Sequence, residues 1–272
     1  MHKAGFVNII GNPNVGKSTL MNALVGERLS IITSKAQTTR HRILGVVSGE
    51  DFQIVFSDTP GILKPSYKLQ ESMMKFVTGA VNDADVILYV TDTVEQSDRS
   101  AGIVEKIRQS GIPTVVVINK IDLSSPEALE ALVAKWNEEL PGARIVPVSA
   151  REKFNIEGLF DTILGLLPEG PVFYPKDTLT DKTLRFFASE IIREKILLYY
   201  QKEIPYAVEV VVELFKEDDE MIHIKALIIC ERDSQKGIII GHRGQALKKV
   251  GAMARKDIER FFEKKVFLEM FV

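Results

Sequence analysis

The run Gly11-Asn12-Pro13-Asn14-Val15-Gly16-Lys17-Ser18 has the spacing G-x-x-x-x-G-K-[ST]. Glycines in such a run let the backbone curl until its N–H groups face phosphate oxygens at the positive end of a helix. Lys17 can then reach the β- and γ-phosphates. Ser18 can give one oxygen to octahedral Mg²⁺, and Thr19 belongs to the same phosphate-binding segment. Asp58-Thr59-Pro60-Gly61 follows 40 residues after Ser18. A carboxylate there can hold Mg²⁺ through water, and the Gly61 N–H can meet a γ-phosphate. Asn119-Lys120-Ile121-Asp122 chooses the base. Two hydrogen bonds from guanine N1–H and its exocyclic amine suit the Asp122 carboxylate, whereas adenine leaves it unpaired. Asn119 braces that site, and the Lys120 stem can lie over the base. Ser149-Ala150 offers a second base contact through backbone N–H.

Between the first two motifs lies Lys35-Ala36-Gln37-Thr38-Thr39-Arg40-His41. A threonine in this segment can place its hydroxyl on Mg²⁺ and its N–H on the γ-phosphate, and be released when that phosphate leaves. Thr39 is the first choice and Thr38 the second. Many GTPases carry a water-orienting glutamine directly after D-x-x-G. Here that position is Ile62, which cannot polarise water, so unaided hydrolysis should be slow. Asn14 offers a partial substitute, because its carbonyl can help hold a monovalent cation, K⁺, beside the phosphates. The catalytic set is therefore Lys17, Thr39, Gly61 and Asn14; the expected ligands are GTP or GDP with Mg²⁺, and K⁺ besides.

These residues need strand ends to stand on. Apolar runs at 6–11, 42–47, 53–57, 85–91, 114–119 and 144–148 alternate with helical stretches at 17–25, 69–82, 97–109, 126–139 and 156–167. Near-continuous Val/Ile strands read as covered on both faces. The pattern predicts an α/β domain over 1–168, a Ras-like fold with a mostly parallel sheet and helices on both faces. All four nucleotide motifs fall at strand C-terminal ends, where open α/β sheets bind ligands. The chain of 272 residues has room for a second domain, and 45% apolar with 26% charged residues is an ordinary globular balance. One cysteine, Cys230, lies in an apolar run and reads as a small buried strand residue; a disulfide scaffold is excluded. No apolar run approaches the ~20 residues that span a bilayer, and no secretory signal opens the sequence.

Leu167-Pro168-Glu169-Gly170-Pro171 breaks the alternation and starts a linker over 169–181. The remainder, 182–272, reads as helix (183–200), two strands (208–215 and 222–231), a Gly-rich loop (237–244), a helix (245–262) and a strand (266–272). That order resembles an α+β type II KH domain, smaller than the first. Net charge is only −2, yet residues 232–265 hold ten Lys/Arg against four acids. Gly241-His242-Arg243-Gly244 is the candidate clamp on a nucleic-acid backbone. Lys248 and Lys249 follow within reach of phosphates, and bases would lie in a groove lined by Ile238, Ile240 and the neighbouring strand.

The whole chain from about residue 5 resembles the Era family, bacterial KH-domain GTPases of ribosome assembly. The resemblance rests on residues 11–18, Gln37-Thr38-Thr39-Arg40-His41-Arg42, 58–61, 119–122, the run 185–195 and the clamp 241–244. It implies that the second domain binds the 3′ end of 16S ribosomal RNA in small (30S) subunit assembly. It also implies a monomeric cytoplasmic protein, partly peripheral at the inner face of the cell membrane. Family members usually continue with a short basic segment past the position of Val272, so a truncated C-terminus is expected. Two other readings compete: a membrane-associated signalling GTPase whose second domain binds protein, and a metabolic NTPase or kinase, which Asn119 and Asp122 argue against.

Overall fold

In the computed structural model, residues 2–94 and 101–272 are described, and they form two compact units, 1–181 and 182–272. The first is built on β1 (Lys3–Gly11), β2 (Ile43–Ser48), β3 (Phe52–Asp58), β4 (Val86–Asp92), β5 (Thr114–Asn119) and β6 (Arg144–Pro147). Their order is β2-β3-β1-β4-β5-β6, with β2 antiparallel to β3 and the other pairings parallel. All seven residues of β4 and all six of β5 are buried, which is why those strands read as unbroken apolar runs. The helices are α1 (Lys17–Val25), α2 (Lys68–Asn82), α3 (Ala101–Ser110), α4 (Pro126–Glu139) and α5 (Ile156–Leu166). The expected start of the third helix, 97–100, lies outside the described residues. Ser125 caps α4 by accepting from the Ala128 N–H, with Pro126 at the first helical position.

The stretch 169–181 belongs to this unit and is pinned across it. Phe173 N–H and Tyr174 N–H donate to Gln53 Oε1 at 2.7 and 2.9 Å, and Gln53 Nε2 donates to Tyr174 O at 2.8 Å. Farther on, Val46 N–H donates to Leu179 O (2.8 Å) and Thr180 Oγ1 donates to Leu44 O (2.6 Å).

The second unit has α6 (Leu184–Tyr199), β7 (Val208–Glu217), β8 (Met221–Cys230), α7 (Asp233–Ile240), α8 (Gln245–Phe262) and β9 (Lys265–Phe271). Its sheet runs β7-β8-β9, antiparallel then parallel. One face of the sheet packs on the helices through Val210, Ile224, Val266, Ile192 and Ile258. Two expectations change. Residues 237–240 are the last turn of α7 rather than loop, so the turn between helices is confined to 241–244. Cys230, at the end of β8, is only partly buried.

Candidate guanine-nucleotide and nucleic-acid sites

β1 delivers the chain to the phosphate loop and α1 carries it away, so residues 12–16 must turn sharply between them. Two close approaches require glycine. A Cβ on Gly11 would lie 2.1 Å from Val90 O, and one on Gly16, at φ 94°, would lie 2.2 Å from Asn119 Nδ2. Lys17 is buried, and its ammonium donates to the loop's own carbonyls, Gly11 O at 3.0 Å and Asn12 O at 2.8 Å. The loop encloses the head of a cavity of about 430 Å³ lined by Pro13, Ser18, Thr39 and Gly61 among others. Gly61 crosses so close to Pro13 that a Cβ would sit 2.8 Å away. Thr59 is tied by its hydroxyl to Ile9 O at 2.7 Å, and Pro60 is buried beside it. Val15 is likewise buried.

Three oxygens meet beside Lys17. Ser18 Oγ lies 2.7 Å from Asp58 Oδ2 and 2.9 Å from Thr39 Oγ1, and Thr39 Oγ1 lies 3.3 Å from Asp58 Oδ2. The structure thereby separates the two candidate threonines. Thr38 lines the same cavity, but its hydroxyl bonds Thr33 Oγ1 and Lys35 O, both at 2.6 Å, and not the cluster. Burial pushes the Asp58 carboxyl above its ordinary range, against the pull of Lys17 and hydrogen bonds from Ser18 and Thr39. Its Oδ1 is buried with no hydrogen-bond partner. A fully buried carboxylate with an orphaned oxygen, grouped with two hydroxyls, is a hard-oxygen donor set that fits Mg²⁺. Ile62 is 2% exposed and packs with Val77 and Tyr89, so the residue at the usual glutamine position points into the core.

The base end is a second cavity of about 770 Å³, sharing Gly16, Thr19 and Lys120 with the first. Asn119, 3% exposed, is its brace: Nδ2 donates to Val15 O at 2.8 Å, and Oδ1 accepts from Ala150 N–H at 3.0 Å. Ser149 Oγ donates to Asp122 Oδ1 at 2.6 Å and aims the base-selecting carboxylate. The backbone amides of Ser149 and Ala150, expected to face the base, are here directed to Phe154 O and Asn119. Sequence reasoning missed Asp92. This 4% exposed carboxylate at the end of β4 pairs with the Lys120 ammonium at 2.5 Å, and Lys120 also donates to Asn14 O at 2.6 Å. Lys120 itself has φ 61°, so both its backbone and its side chain are held. The available signal was an acid ending a strand that is otherwise apolar up to Thr91.

In the second unit the clamp is a tight turn with Gly241 at φ 71°, Arg243 at φ 50° and Gly244 at φ 76°. A Cβ on Gly241 would fall 2.6 Å from that of Ala246, so only glycine lets the turn pack this closely on α8. His242 and Arg243 point outward. The lysines part company. Lys248 lines a cavity of about 460 Å³, whereas Lys249 sits over the Tyr199 ring, 5.3 Å from its centroid. That cavity runs from Gly244 along α8 to β9, lined by Leu247, Gly251, Arg255, Leu268 and Met270. Ile238 and Ile240 do not line it; Ile238 is 52% exposed on α7 and Ile240 is half-buried. The cavity itself lies on the α8–β9 side. The signal was the small pair Gly251-Ala252 inside a helix of larger residues.

The first unit is thus a guanine-nucleotide-binding fold with a Ser18–Thr39–Asp58 oxygen cluster, and the second is a KH fold with a cavity that Lys248 and Arg255 line. Family models agree: "50S ribosome-binding GTPase" matches residues 6–120 and "KH domain" matches 203–271. GTPase Era of Clostridium kluyveri is 43% identical over all of this chain and 94% of its own. GTPase Era of Staphylococcus haemolyticus is 45% identical over all of this chain and 91% of its own. A crystal structure of Era with MgGDPNP and nucleotides 1506–1542 of 16S ribosomal RNA superposes with a TM-score of 0.94 at 40% identity, covering 100% of this chain and 93% of that one. A variant of Aquifex aeolicus Era bound to GDP.AlF4⁻ gives 0.94 at 41% identity over 99% and 93%. The chain belongs to the Era family of GTPases, enzymes that cleave GTP to GDP and phosphate.

Proposed function

We propose that this chain is a GTP-switched RNA-binding factor whose KH unit holds the 3′ end of 16S ribosomal RNA during small-subunit assembly. The observation that carries this reading is the cavity from Gly244 to Met270, which begins at the clamp and has Lys248 and Arg255 on its wall. Its floor is apolar and its rim cationic, as single-stranded bases with flanking phosphates require. The near-identical fold of the Era that holds that RNA supports the choice of ligand.

In the first unit, Lys17 and the amides of the phosphate loop hold the β- and γ-phosphates of GTP. Ser18 and Thr39 hydroxyls hold Mg²⁺, with Asp58 beside them, and the ion neutralises charge on the transferred phosphoryl group. Gly61 offers its N–H to the γ-phosphate. Loss of that phosphate releases Thr39 and ends the GTP state. The Asn14 side-chain carbonyl would hold K⁺, whose charge would help offset that of the phosphates. Cytoplasmic placement with peripheral contact at the inner face of the membrane, and a monomeric state, rest on the family resemblance; among the described residues no helix is long and apolar enough to cross a membrane.

The test is binding to a short single-stranded RNA with the ribosomal 3′ sequence. Lys248→Gln should weaken binding about tenfold and flatten its salt slope by about one. Lys249→Gln, off the groove, should cost much less. No gel shift in either nucleotide state would favour a signalling GTPase whose second unit binds protein.

A further inference from the structure

Arg42 stands three residues beyond Thr39, where the switch segment enters β2. Its guanidinium makes four hydrogen bonds. Nε donates to Ser57 Oγ at 2.6 Å, Nη1 to Asp83 Oδ2 at 2.5 Å, and Nη2 to Asp83 Oδ1 at 3.0 Å and Asn8 Oδ1 at 3.1 Å. Asn8, wholly buried, completes the cluster by donating through Nδ2 to Ala80 O and Asp83 Oδ1, each at 2.7 Å. Asn8 and Ser57 are register partners on β1 and β3. Three residues after Asn8 the phosphate loop begins; one residue after Ser57 comes Asp58. Asp83 ends α2, the helix that follows the D-x-x-G segment.

We propose that Arg42 is a positioning residue for GTP hydrolysis. It clamps the far end of the switch segment, and the end of α2, to the two strands that carry the phosphate loop and Asp58. It touches none of the nucleotide-facing residues, so its action is through them. A planar fork grips the Asp83 carboxylate with two nitrogens while its third reaches Ser57, a spread that the single nitrogen of a lysine ammonium cannot match. With its C-terminal end fixed, the switch segment has less freedom to lose when Thr39 settles beside the phosphates. In the GDP state Thr39 is released, and the clamp then adds nothing to nucleotide affinity. The effect is therefore selective for the triphosphate. The inference rests on the GTP switch and not on RNA binding, and its assay omits RNA, so failure of the RNA reading leaves it standing.

The test measures dissociation constants for GDP and a non-hydrolysable GTP analogue, together with single-turnover hydrolysis. Arg42→Ala should lower analogue affinity and turnover about tenfold each while GDP affinity stays within about twofold. Arg42→Lys should recover little of the loss. Asp83→Asn should give a smaller loss, and the Arg42→Ala/Asp83→Asn pair no more than Arg42→Ala alone. Equal weakening of both nucleotides would mean mere structural support and overturn the proposal, as would unchanged constants in every variant. Should Arg42→Ala not fold, Arg42→Lys and Asp83→Asn carry the same comparison.

Discussion

Asn14 holds a backbone φ of 66°, a left-handed conformation that asparagine tolerates better than most residues. Its presence in the phosphate loop therefore has two separable causes, the turn and the side-chain carbonyl. Glycine separates them, because it accepts the same backbone while deleting the carbonyl. If the side chain holds K⁺, Asn14→Gly should keep nucleotide affinity and lose most of the potassium stimulation of GTP turnover, a change on the order of tenfold. The comparison is turnover in potassium against sodium, for both proteins. Equal turnover of the parent chain in the two salts would remove K⁺ from the site. Potassium stimulation that survives in Asn14→Gly would leave Asn14 as a turn residue. At this scale the sequence was most legible where a residue type answers one chemical demand, as Lys17, Asp58 and Asp122 do. It was least legible for second partners such as Asp92, whose role depends on Lys120 arriving from another strand.

Elements were legible where one period dominates. Buried strands β4 and β5 read as apolar runs, and their bounds in the structure lie within a residue of those expected. The helix α7 was harder. Gly237-Ile238-Ile239-Ile240 looks like a strand or loop by composition, yet only Ile239 is fully buried, and its carbonyl accepts the Tyr200 hydroxyl at 2.6 Å. Tertiary contact fixed it as helix, and no local period announces that. The same limit hid the cavity on the α8–β9 side. There Gly251 keeps a helix interior open: a Cβ would meet the tip of Met270 at 2.9 Å, a flexible neighbour able to shift. Gly251→Ala should thus stabilise the second unit by up to ~1 kcal/mol through helix propensity. The displaced Met270 should narrow the groove and weaken RNA binding several-fold. Thermal melting and RNA titration of the same variant check the two opposite signs. A stability gain with unchanged RNA affinity would mean that bases do not lie against Gly251.

Across the whole molecule, the segment 169–181 is a strap rather than a slack tether. β2 is an edge strand of the first sheet, and the strap bonds along it at Leu179 and Thr180. Covering that edge removes a row of unpaired backbone groups that would otherwise invite another chain. The strap's earlier turn depends on one side chain. Gln53 is 0% exposed and meets Ser48, Phe173 and Tyr174 with both ends of its amide. Sequence showed Pro and Gly at 168–171 and so suggested a linker; it could not show that a polar residue inside a strand over 100 residues earlier would hold that linker down. Gln53→Ala strips two strap amides of their acceptor and should cost the first unit ~2–3 kcal/mol. Limited proteolysis should then cut within 169–181 much faster than in the parent chain. The second unit has its own sheet and core, so the released piece should stay folded and keep its RNA affinity. Nucleotide affinity should fall little, because Gln53 lies at the opposite end of β3 from Asp58. An unchanged cleavage pattern would show that the Leu179 and Thr180 contacts hold the strap without Gln53; a released piece that unfolds would show that the second unit depends on the first.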